Sequence, residues 1–299
     1  MVPPAASPSA VLASDYVGRE SELDKIFELL DSTLEGSGGV AMLTGEPGIG
    51  KTRTAQEASV RARELGFRVL WGRCLESEGV PAFWPWSQVI RELVAELGSE
   101  RAIEHMGDGA ADIGTFVSEV RQQMPEDTVN WQGGYPASAR FRIYESVNRF
   151  LRSVASTDPL LIVLDDLQWA DGPSLAVLEF MASELSGSRI LMIGTYRDDE
   201  VTRRHPLYGT LGELTRLVQP TRLHLKGLSR VEVGRYLEET AAFVPEANLA
   251  TSLHEQTNGN PLFLSEIVRL VDESRDANIP TAGVENLLGR VPEGGRGEI

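Results

Sequence analysis

The clearest chemistry in the chain lies in an eight-residue run that starts at Gly45, GEPGIGKT. It fits the pattern G-x-x-x-x-G-K-[ST], in which glycines allow backbone N–H groups to approach phosphate oxygens closely. In this pattern Lys51 reaches the β- and γ-phosphates, and the hydroxyl of Thr52 binds Mg²⁺. The run therefore predicts a phosphate-binding loop. The alternative is a surface turn that is rich in glycine and proline.

An acidic pair, Asp165 and Asp166, follows the apolar run LLIVL. A continuous apolar run is typical of a strand covered on both faces of a parallel sheet. A carboxylate at the end of such a strand can bind Mg²⁺. We predict that Asp165 is the metal partner of Thr52 and that Asp166 orients or deprotonates an attacking water. The alternative is a solvated pair that caps the strand.

Arg197 follows the next apolar run, at residues 190–195. Its planar guanidinium suits phosphate oxygens, so we predict a catalytic contact with the terminal phosphate. The neighbouring acids Asp198, Asp199 and Glu200 offer a surface ion pair as the alternative.

Strand and helix patterns alternate around these residues. The predicted strands are 40–43, 67–71, 160–164, 190–195 and 222–225, with a helix starting at Lys51 after the first. Alternation of this kind predicts an α/β fold, a three-layer sandwich with a five-stranded parallel sheet. Only helical patterns follow Leu228, which predicts a small helical lid subdomain. The predicted organisation is a disordered leader at 1–14, a nucleotide-binding domain at 15–226, the lid at 227–276 and a linker at 277–299.

Three local patterns lead to more detailed predictions. The run GVPAFWPW ends at Trp86, and its aromatic residues either attach a loop to the domain or form a ligand pocket. Asp171 precedes a predicted helix and can cap its first turn. The helix at 137–154 is predicted to bury the face that carries Phe141, Tyr144, Val147 and Leu151.

The composition of the 299 residues excludes several classes of protein. The formal net charge of −16 argues against an extended surface for nucleic acid, which needs clustered Lys and Arg. The single cysteine, Cys74, excludes an intramolecular disulfide and fits a reducing compartment. No apolar run is long enough to span a membrane and no signal-peptide pattern is present, so we expect a cytoplasmic protein without a membrane partner.

The segments GEPGIGKT, LLIVLDDLQWAD, IGTYRDDE and TNGNPLF together resemble the signal-transduction ATPases with numerous domains, which are relatives of the AAA+ ATPases. The resemblance is strongest to the ATPase module of large LuxR-type transcriptional regulators and spans about residues 16–290. The segment YVGRESE resembles the family's h-h-G-R-x-x-E element, and Gly259-Asn260-Pro261 resembles its G-x-P element. The nucleotide-binding set therefore comprises Tyr16, Val17, Gly18, Arg19, Gly45, Glu46, Pro47, Gly48, Ile49, Gly50, Lys51, Thr52, Arg53 and Pro261.

The resemblance implies a switch that binds ATP or ADP with Mg²⁺ and hydrolyses ATP slowly. It also implies protein partners or self-association, and a strand lying between those that carry the loop and Asp165. Family members continue into a winged helix, so 277–299 would hold its truncated start, and DNA binding is not assigned to this segment. Two alternatives are a phosphotransferase with an acceptor pocket at the aromatic loop and a module that holds nucleotide without turnover.

Overall fold

Five parallel strands form the central sheet in the computed structural model, which describes residues 16–124, 137–240 and 248–276. The strands are β1 (Gly39–Thr44), β2 (Arg68–Arg73), β3 (Leu160–Asp165), β4 (Ile190–Tyr196) and β5 (Thr221–His224). Their order is β2-β3-β4-β1-β5, and every pairing is parallel. The predicted α/β fold with a five-stranded parallel sheet is confirmed.

Helices connect the strands, as parallel pairing requires. Short 3₁₀ turns also occur at Gly107–Gly109 and Leu167–Trp169. The α-helices are α1 (Glu20–Leu34), α2 (Lys51–Glu64), α3 (Trp84–Leu97), α4 (Ser99–Met106), α5 (Ala110–Ile113), α6 (Ser118–Arg121), α7 (Ala137–Ala155), α8 (Gly172–Ser183), α9 (Pro206–Leu217), α10 (Arg230–Thr240), α11 (Leu249–Thr257) and α12 (Pro261–Asp276).

Successive residues of each strand point to opposite sides of the sheet. Both faces of the sheet are buried, because helices cover each of them. One face carries Met42, Ile162 and Met192 and packs against α3, α7, α8 and α9. The other carries Leu43 and Val163 and packs against α1 and α2. This arrangement makes the three layers of the sandwich. It also explains why β3 and β4 are continuous apolar runs.

β4 lies between β1, which leads into the phosphate-binding loop, and β3, which ends in Asp165. The strand order that the family resemblance implied is therefore present. β4 ends in Thr195 and Tyr196, and Thr195 pairs with Leu43 of β1 in the parallel register. The carboxyl ends of the three strands consequently meet at one edge of the sheet.

The predicted buried face of α7 is wrong at Phe141, whose residue surface is 55% exposed. Phe141 and Ile143 point to nearly opposite sides of a helix with 3.6 residues per turn. Packing against α4, α5 and α8 buries the side of Ile143. Phe141 instead meets the ring of Phe180 edge-on at 5.6 Å. The buried face comprises Ile143, Val147, Phe150, Leu151 and Val154.

Two of the three aromatic residues of the loop lie in the core. Phe83 and Trp86 are fully buried, and the indole Nε1 of Trp86 donates to the carbonyl of Ser174 in α8 at 2.9 Å. The loop therefore attaches to the body of the domain, the first of the two alternatives, and these two rings are not exposed to a ligand.

Residue contacts divide the chain into two units. The larger contains Glu20–Pro47 and Lys51–Leu225, with the sheet and α1–α9. The smaller contains the described part of Met1–Arg19, Gly48–Gly50 and the described part of Lys226–Ile299. The smaller unit has its own apolar core, contributed by Leu228, Val233, Leu237, Leu253, Leu264, Ile267 and Val268.

Two predicted segments, the leader at 1–14 and the linker at 277–299, lie outside the described residues. Within the described ranges, no helix has the length and apolar character needed to cross a membrane.

Candidate active site

The phosphate-binding loop connects β1 to α2 in the order that the sequence predicted. Gly48 and Gly50 have φ values of 74° and 101°, a region that residues with a Cβ rarely adopt. These turns bring the chain to the N-terminus of α2 at Lys51. The loop therefore has the backbone conformation and the helix terminus that bind anions.

Lys51 lies against the loop that precedes it. Its Nζ donates to the carbonyl of Gly45 at 2.7 Å and to that of Glu46 at 2.9 Å. Burial lowers the pKa of Lys51 below its ordinary value, and the nearby Arg197 lowers it further, although Asp166 acts in the opposite direction. An anion beside this ammonium would raise the pKa of Lys51 again, as expected of a phosphate-binding lysine.

Asp165 is the centre of a hydroxyl–carboxylate network. It is buried, and its Oδ1 accepts from the hydroxyl of Thr52 at 2.9 Å and from that of Thr195 at 2.7 Å. Thr195 Oγ1 in turn accepts from the backbone N–H of Asp166 at 2.9 Å. The network joins the loop helix, β3 and β4 through hydrogen bonds.

Thr195 was not among the predicted site residues. The sequence places it at the end of an apolar run, which is the same signal that identified Asp165. Its significance depends on β4 lying between β1 and β3, and strand order cannot be obtained from hydrophobic patterns. The signal that could have identified Thr195 was its position as the polar residue that ends the predicted strand 190–195.

The second oxygen of Asp165 has a different environment. Asp165 Oδ2 is buried and accepts no hydrogen bond within the described residues. It lies 3.3 Å from Nη2 of Arg73, at the end of β2. A buried carboxylate oxygen that accepts no hydrogen bond, in a residue whose other oxygen contacts the Thr52 hydroxyl, matches the oxygen ligands that Mg²⁺ prefers. The residues present therefore fit a magnesium ion.

Asp166 follows β3 with a φ of 59°, which turns its side chain away from that of Asp165. Its Oδ1 accepts from Nε2 of Gln168 at 2.9 Å. Gln168 is buried, and its Oε1 accepts from the backbone N–H of Arg197 at 3.2 Å. Gln168 thus links the predicted water-orienting acid to the end of β4, and it was also missing from the sequence prediction.

Arg197 forms the surface pair that the sequence offered as its alternative. Its Nη1 lies 2.7 Å from Oε1 of Glu200. Burial alone would lower the pKa of Arg197, but the hydrogen bond and charge of Glu200 raise it above the ordinary value. Contact with a terminal phosphate would require Arg197 to leave Glu200, and it stays a prediction.

The predicted base-binding residues belong to the smaller unit. Val17 is buried, and Gly18 has a φ of 78°. A Cβ on Gly18 would collide with the carboxylate of Glu232. Arg19 donates to the carbonyl of Ile49 at 3.2 Å and to that of Lys226.

Pro261 is the first residue of α12, and the side chain of Asn260 accepts from the backbone N–H of Leu262 at 3.1 Å. Pro261 therefore starts the helix directly after the capping residue Asn260. Its contact with nucleotide stays a prediction. Arg53 lies in the first turn of α2 and is 4.0 Å from Glu57. Across the described residues, no group of three or more His, Cys, Asp or Glu side chains could form a separate metal site.

The strand order, the loop and the acid at the end of β3 define a P-loop ATPase of the AAA+ type. A family model described as "AAA ATPase domain" matches residues 16–193. The chain therefore belongs to the AAA ATPase domain family. The family implies binding and hydrolysis of a nucleotide, with the usual dependence on Mg²⁺.

Individual similarities are more distant. An uncharacterized protein of Rhizobium meliloti (strain 1021) is 26% identical over 280 residues, which are 88% of this chain and 26% of that protein. The chain thus spans about a quarter of that relative's length. The Aeropyrum pernix ORC1 protein, solved in complex with DNA, is 16% identical with a TM-score of 0.53. The match covers 91% of this chain and 65% of the ORC1 chain.

A signal transduction ATPase with numerous domains from Pyrococcus horikoshii, which has a tetratricopeptide repeat sensor, is 19% identical with a TM-score of 0.47. The match covers 86% of this chain and 30% of that one. At this level of similarity it carries no conclusion about the present chain. The ORC1 comparison supports the fold alone.

Proposed function

We propose that the chain is the regulatory ATPase part of a signal-transduction or transcriptional regulator, a switch that binds ATP or ADP and hydrolyses ATP slowly. The observation that carries the proposal is the network of Thr52, Asp165 and Thr195. It joins the phosphate-binding loop to a buried carboxylate through the intervening strand. A structural turn would not need a buried acid held by two hydroxyls on different elements.

The chain's own residues divide the binding of nucleotide and metal between them. The backbone N–H groups of the loop would hold phosphate oxygens, and Lys51 would contact the β- and γ-phosphates. Thr52 and Asp165 would hold Mg²⁺, which supplies charge neutralisation at the phosphates when bound. By the family resemblance, residues 16–19 and Pro261 would contact the adenine nucleotide.

Two features support slow turnover. Asp166 would orient or deprotonate the attacking water, but Gln168 already donates to one of its oxygens. Arg197 would stabilise charge on the terminal phosphate only after leaving Glu200. Arg197 would therefore have to exchange its partner before the reaction, and one oxygen of Asp166 is already engaged.

The regulatory role rests on the LuxR-type resemblance of the sequence motifs and on the much greater length of the Rhizobium relative. We propose protein partners or self-association as the output, and a cytoplasmic location. With a net charge of −16, this segment is not expected to bind nucleic acid.

The Arg197–Glu200 pair favours one alternative, a module that holds nucleotide without turnover. The other alternative, a phosphotransferase with an acceptor pocket at the aromatic loop, is weakened because Phe83 and Trp86 are buried. Trp84 and Pro85 still line a small surface pocket, so a substrate screen remains its test.

Phosphate release separates the switch from the module without turnover. The purified protein is denatured to identify any released nucleotide, and phosphate release from ATP and Mg²⁺ is then followed for wild type, Lys51→Ala and Asp166→Asn. We expect Asp166→Asn to retain binding but to lose about a hundredfold in rate, and Lys51→Ala to lose both. Bound nucleotide without phosphate release in wild type would favour the alternative. Unchanged binding and hydrolysis in Lys51→Ala would contradict both.

A further inference from the structure

Arg73 is a charged residue at the site, and the proposed function gives it no role. It is the last residue of β2 and lies opposite Asp165 in the parallel register. Its Nη2 is 3.3 Å from Asp165 Oδ2. The two side chains differ sharply in exposure, 57% for Arg73 and 1% for Asp165. A largely exposed cation therefore contacts a buried anion.

The backbone of Arg73 is held independently of its side chain. Nε2 of Gln88, in α3, donates to the carbonyl of Arg73 at 2.9 Å, and the N–H of Arg73 donates to Oε1 of Gln88 at 3.3 Å. The N–H of Cys74 donates to the carbonyl of Asp165 at 2.9 Å. The guanidinium can consequently leave Asp165 for solvent without any movement of β2.

The two oxygens of Asp165 are not equivalent towards a cation. Oδ1 already accepts hydrogen bonds from Thr52 and Thr195. Oδ2 accepts no hydrogen bond from the described residues and faces Arg73. A divalent cation that approaches this carboxylate would meet Oδ2, and the positive charge of Arg73 would oppose it.

We propose that Arg73 is an exchangeable counter-cation of Asp165 that competes with Mg²⁺ for Oδ2 and so weakens the affinity of the site for metal. The inference rests on the proposed function, because it takes Asp165 as the metal partner. The side chain is mostly exposed and screened by solvent, so its contact with Asp165 is weak. Arg73 therefore adjusts the Mg²⁺ concentration at which the site fills and does not block it.

Arg68→Gln is the matched control for Arg73→Gln. Arg68 is the first residue of the same strand, and its replacement by Gln removes the same charge. Its guanidinium pairs with Asp158 and Glu96 and not with Asp165. The affinity for the fluorescent nucleotide mant-ADP is measured in EDTA and then along a MgCl₂ titration at constant ionic strength. We expect Arg73→Gln to lower the Mg²⁺ midpoint about twofold to fivefold, and Arg68→Gln to leave it unchanged.

An unchanged or raised midpoint in Arg73→Gln would overturn the proposal. So would a loss of mant-ADP affinity in EDTA for Arg73→Gln alone, because Arg73 would then be a nucleotide ligand. Binding of Mn²⁺ without nucleotide, followed by electron paramagnetic resonance, tests the same competition directly. It should tighten in Arg73→Gln only, and equal Mn²⁺ affinity in the three proteins would refute the competition. Absence of mant-ADP binding in wild type would instead count against the proposed function.

Discussion

A buried carboxylate is stable only when its oxygens have partners, and Asp165 obtains them from three elements. Thr52 contributes from α2, Thr195 from β4 and Arg73 from β2. The Thr195 hydroxyl acts twice, since it donates to Asp165 and accepts from the N–H of Asp166. One hydroxyl thus sets the relative positions of the predicted metal partner and the predicted water-orienting acid.

Replacing Thr195 by Val keeps the shape of the side chain and removes both hydrogen bonds. A hydrogen bond to a charged group contributes about 1.5–3 kcal/mol. We therefore expect ATP hydrolysis to fall by about tenfold to a hundredfold, with nucleotide affinity within about threefold. Steady-state phosphate release and mant-ADP titration measure the two quantities. Thr195→Ser, which keeps the hydroxyl, should retain most of the rate, and equal rates in the Val and Ser variants would contradict the assigned role.

Lys51 should reduce the stability of the ligand-free protein. Its pKa is lowered on folding, so the unfolded chain binds the proton more tightly. The charged form therefore destabilises the fold below the folded pKa, and this penalty disappears as the pH rises towards the unfolded value of 10.5. We expect Lys51→Met to be more stable than wild type at neutral pH and to lose its nucleotide binding.

The lowered pKa of Lys51 also predicts how stability depends on pH. The free energy of unfolding of wild type should approach that of Lys51→Met as the pH rises towards 10.5. Urea denaturation at several pH values measures the difference between the two proteins, in which titrations at other sites cancel. A difference that grows with pH would show that the lysine pKa is raised on folding.

At the scale of elements, the hydrophobic patterns predicted the strands but not their order, and the strand between β1 and β3 was implied only by the family resemblance. The runs LLIVL and VAML are buried strands because both faces of the sheet are covered. Strand order and register depend on contacts between distant segments, so Thr195 and Arg73 could not be recognised as partners of Asp165. The error at Phe141 has the same origin, since packing against the neighbouring helices decides which side of α7 is buried.

Asp171 confirms a prediction made from local chemistry alone. It is the N-cap of α8, and its Oδ1 accepts from the N–H of Ser174 at 2.9 Å. The same oxygen accepts from the N–H of Phe83 at 3.3 Å, which fixes the aromatic loop to the helix start. Capping depends on neighbours in sequence, so the sequence reveals it. The link to Phe83 depends on the fold.

Asp171→Ala should destabilise the protein by about 1–2 kcal/mol through the lost cap and the freed N–H of Phe83. For a unit of this size, that change lowers the melting temperature by roughly 2–8 °C. Differential scanning calorimetry measures the shift. Asp171→Asn retains a cap acceptor and should lose less than half as much. A melting temperature unchanged in Asp171→Ala would exclude the cap as a stabilising contact.

At the scale of the whole molecule, the fold class followed from the alternation of strands and helices, whereas the biological role did not. Motifs such as GEPGIGKT contain the residues of the site and therefore predict its chemistry. The signal and the effector depend on surfaces and segments that these motifs do not describe. The Rhizobium relative, of which this chain spans 26%, indicates how much of a related protein can lie outside the ATPase segment.

The net charge of −16 leads to a prediction about nucleic acid. Binding to DNA releases counterions through clustered cations, and an excess of acidic residues opposes it. We expect no binding to a fluorescein-labelled duplex at 0.15 M salt up to about 10 μM protein, a level typical of weak non-specific binding. Fluorescence anisotropy with and without MgADP measures it. Submicromolar binding that weakens steeply with salt would contradict the expectation and reveal a basic surface.

In the proposed function, the loop from Gly45 to Thr52 binds a magnesium–adenine nucleotide together with Asp165. Calorimetric titration of wild type, Lys51→Ala and Lys25→Ala with MgADP tests it most directly, because Lys25 is an exposed lysine on α1 that carries the same charge. We predict one site of equal affinity in wild type and Lys25→Ala, and at least about a hundredfold weaker binding in Lys51→Ala. Equal affinity in all three proteins, or no binding in wild type, would contradict the claim.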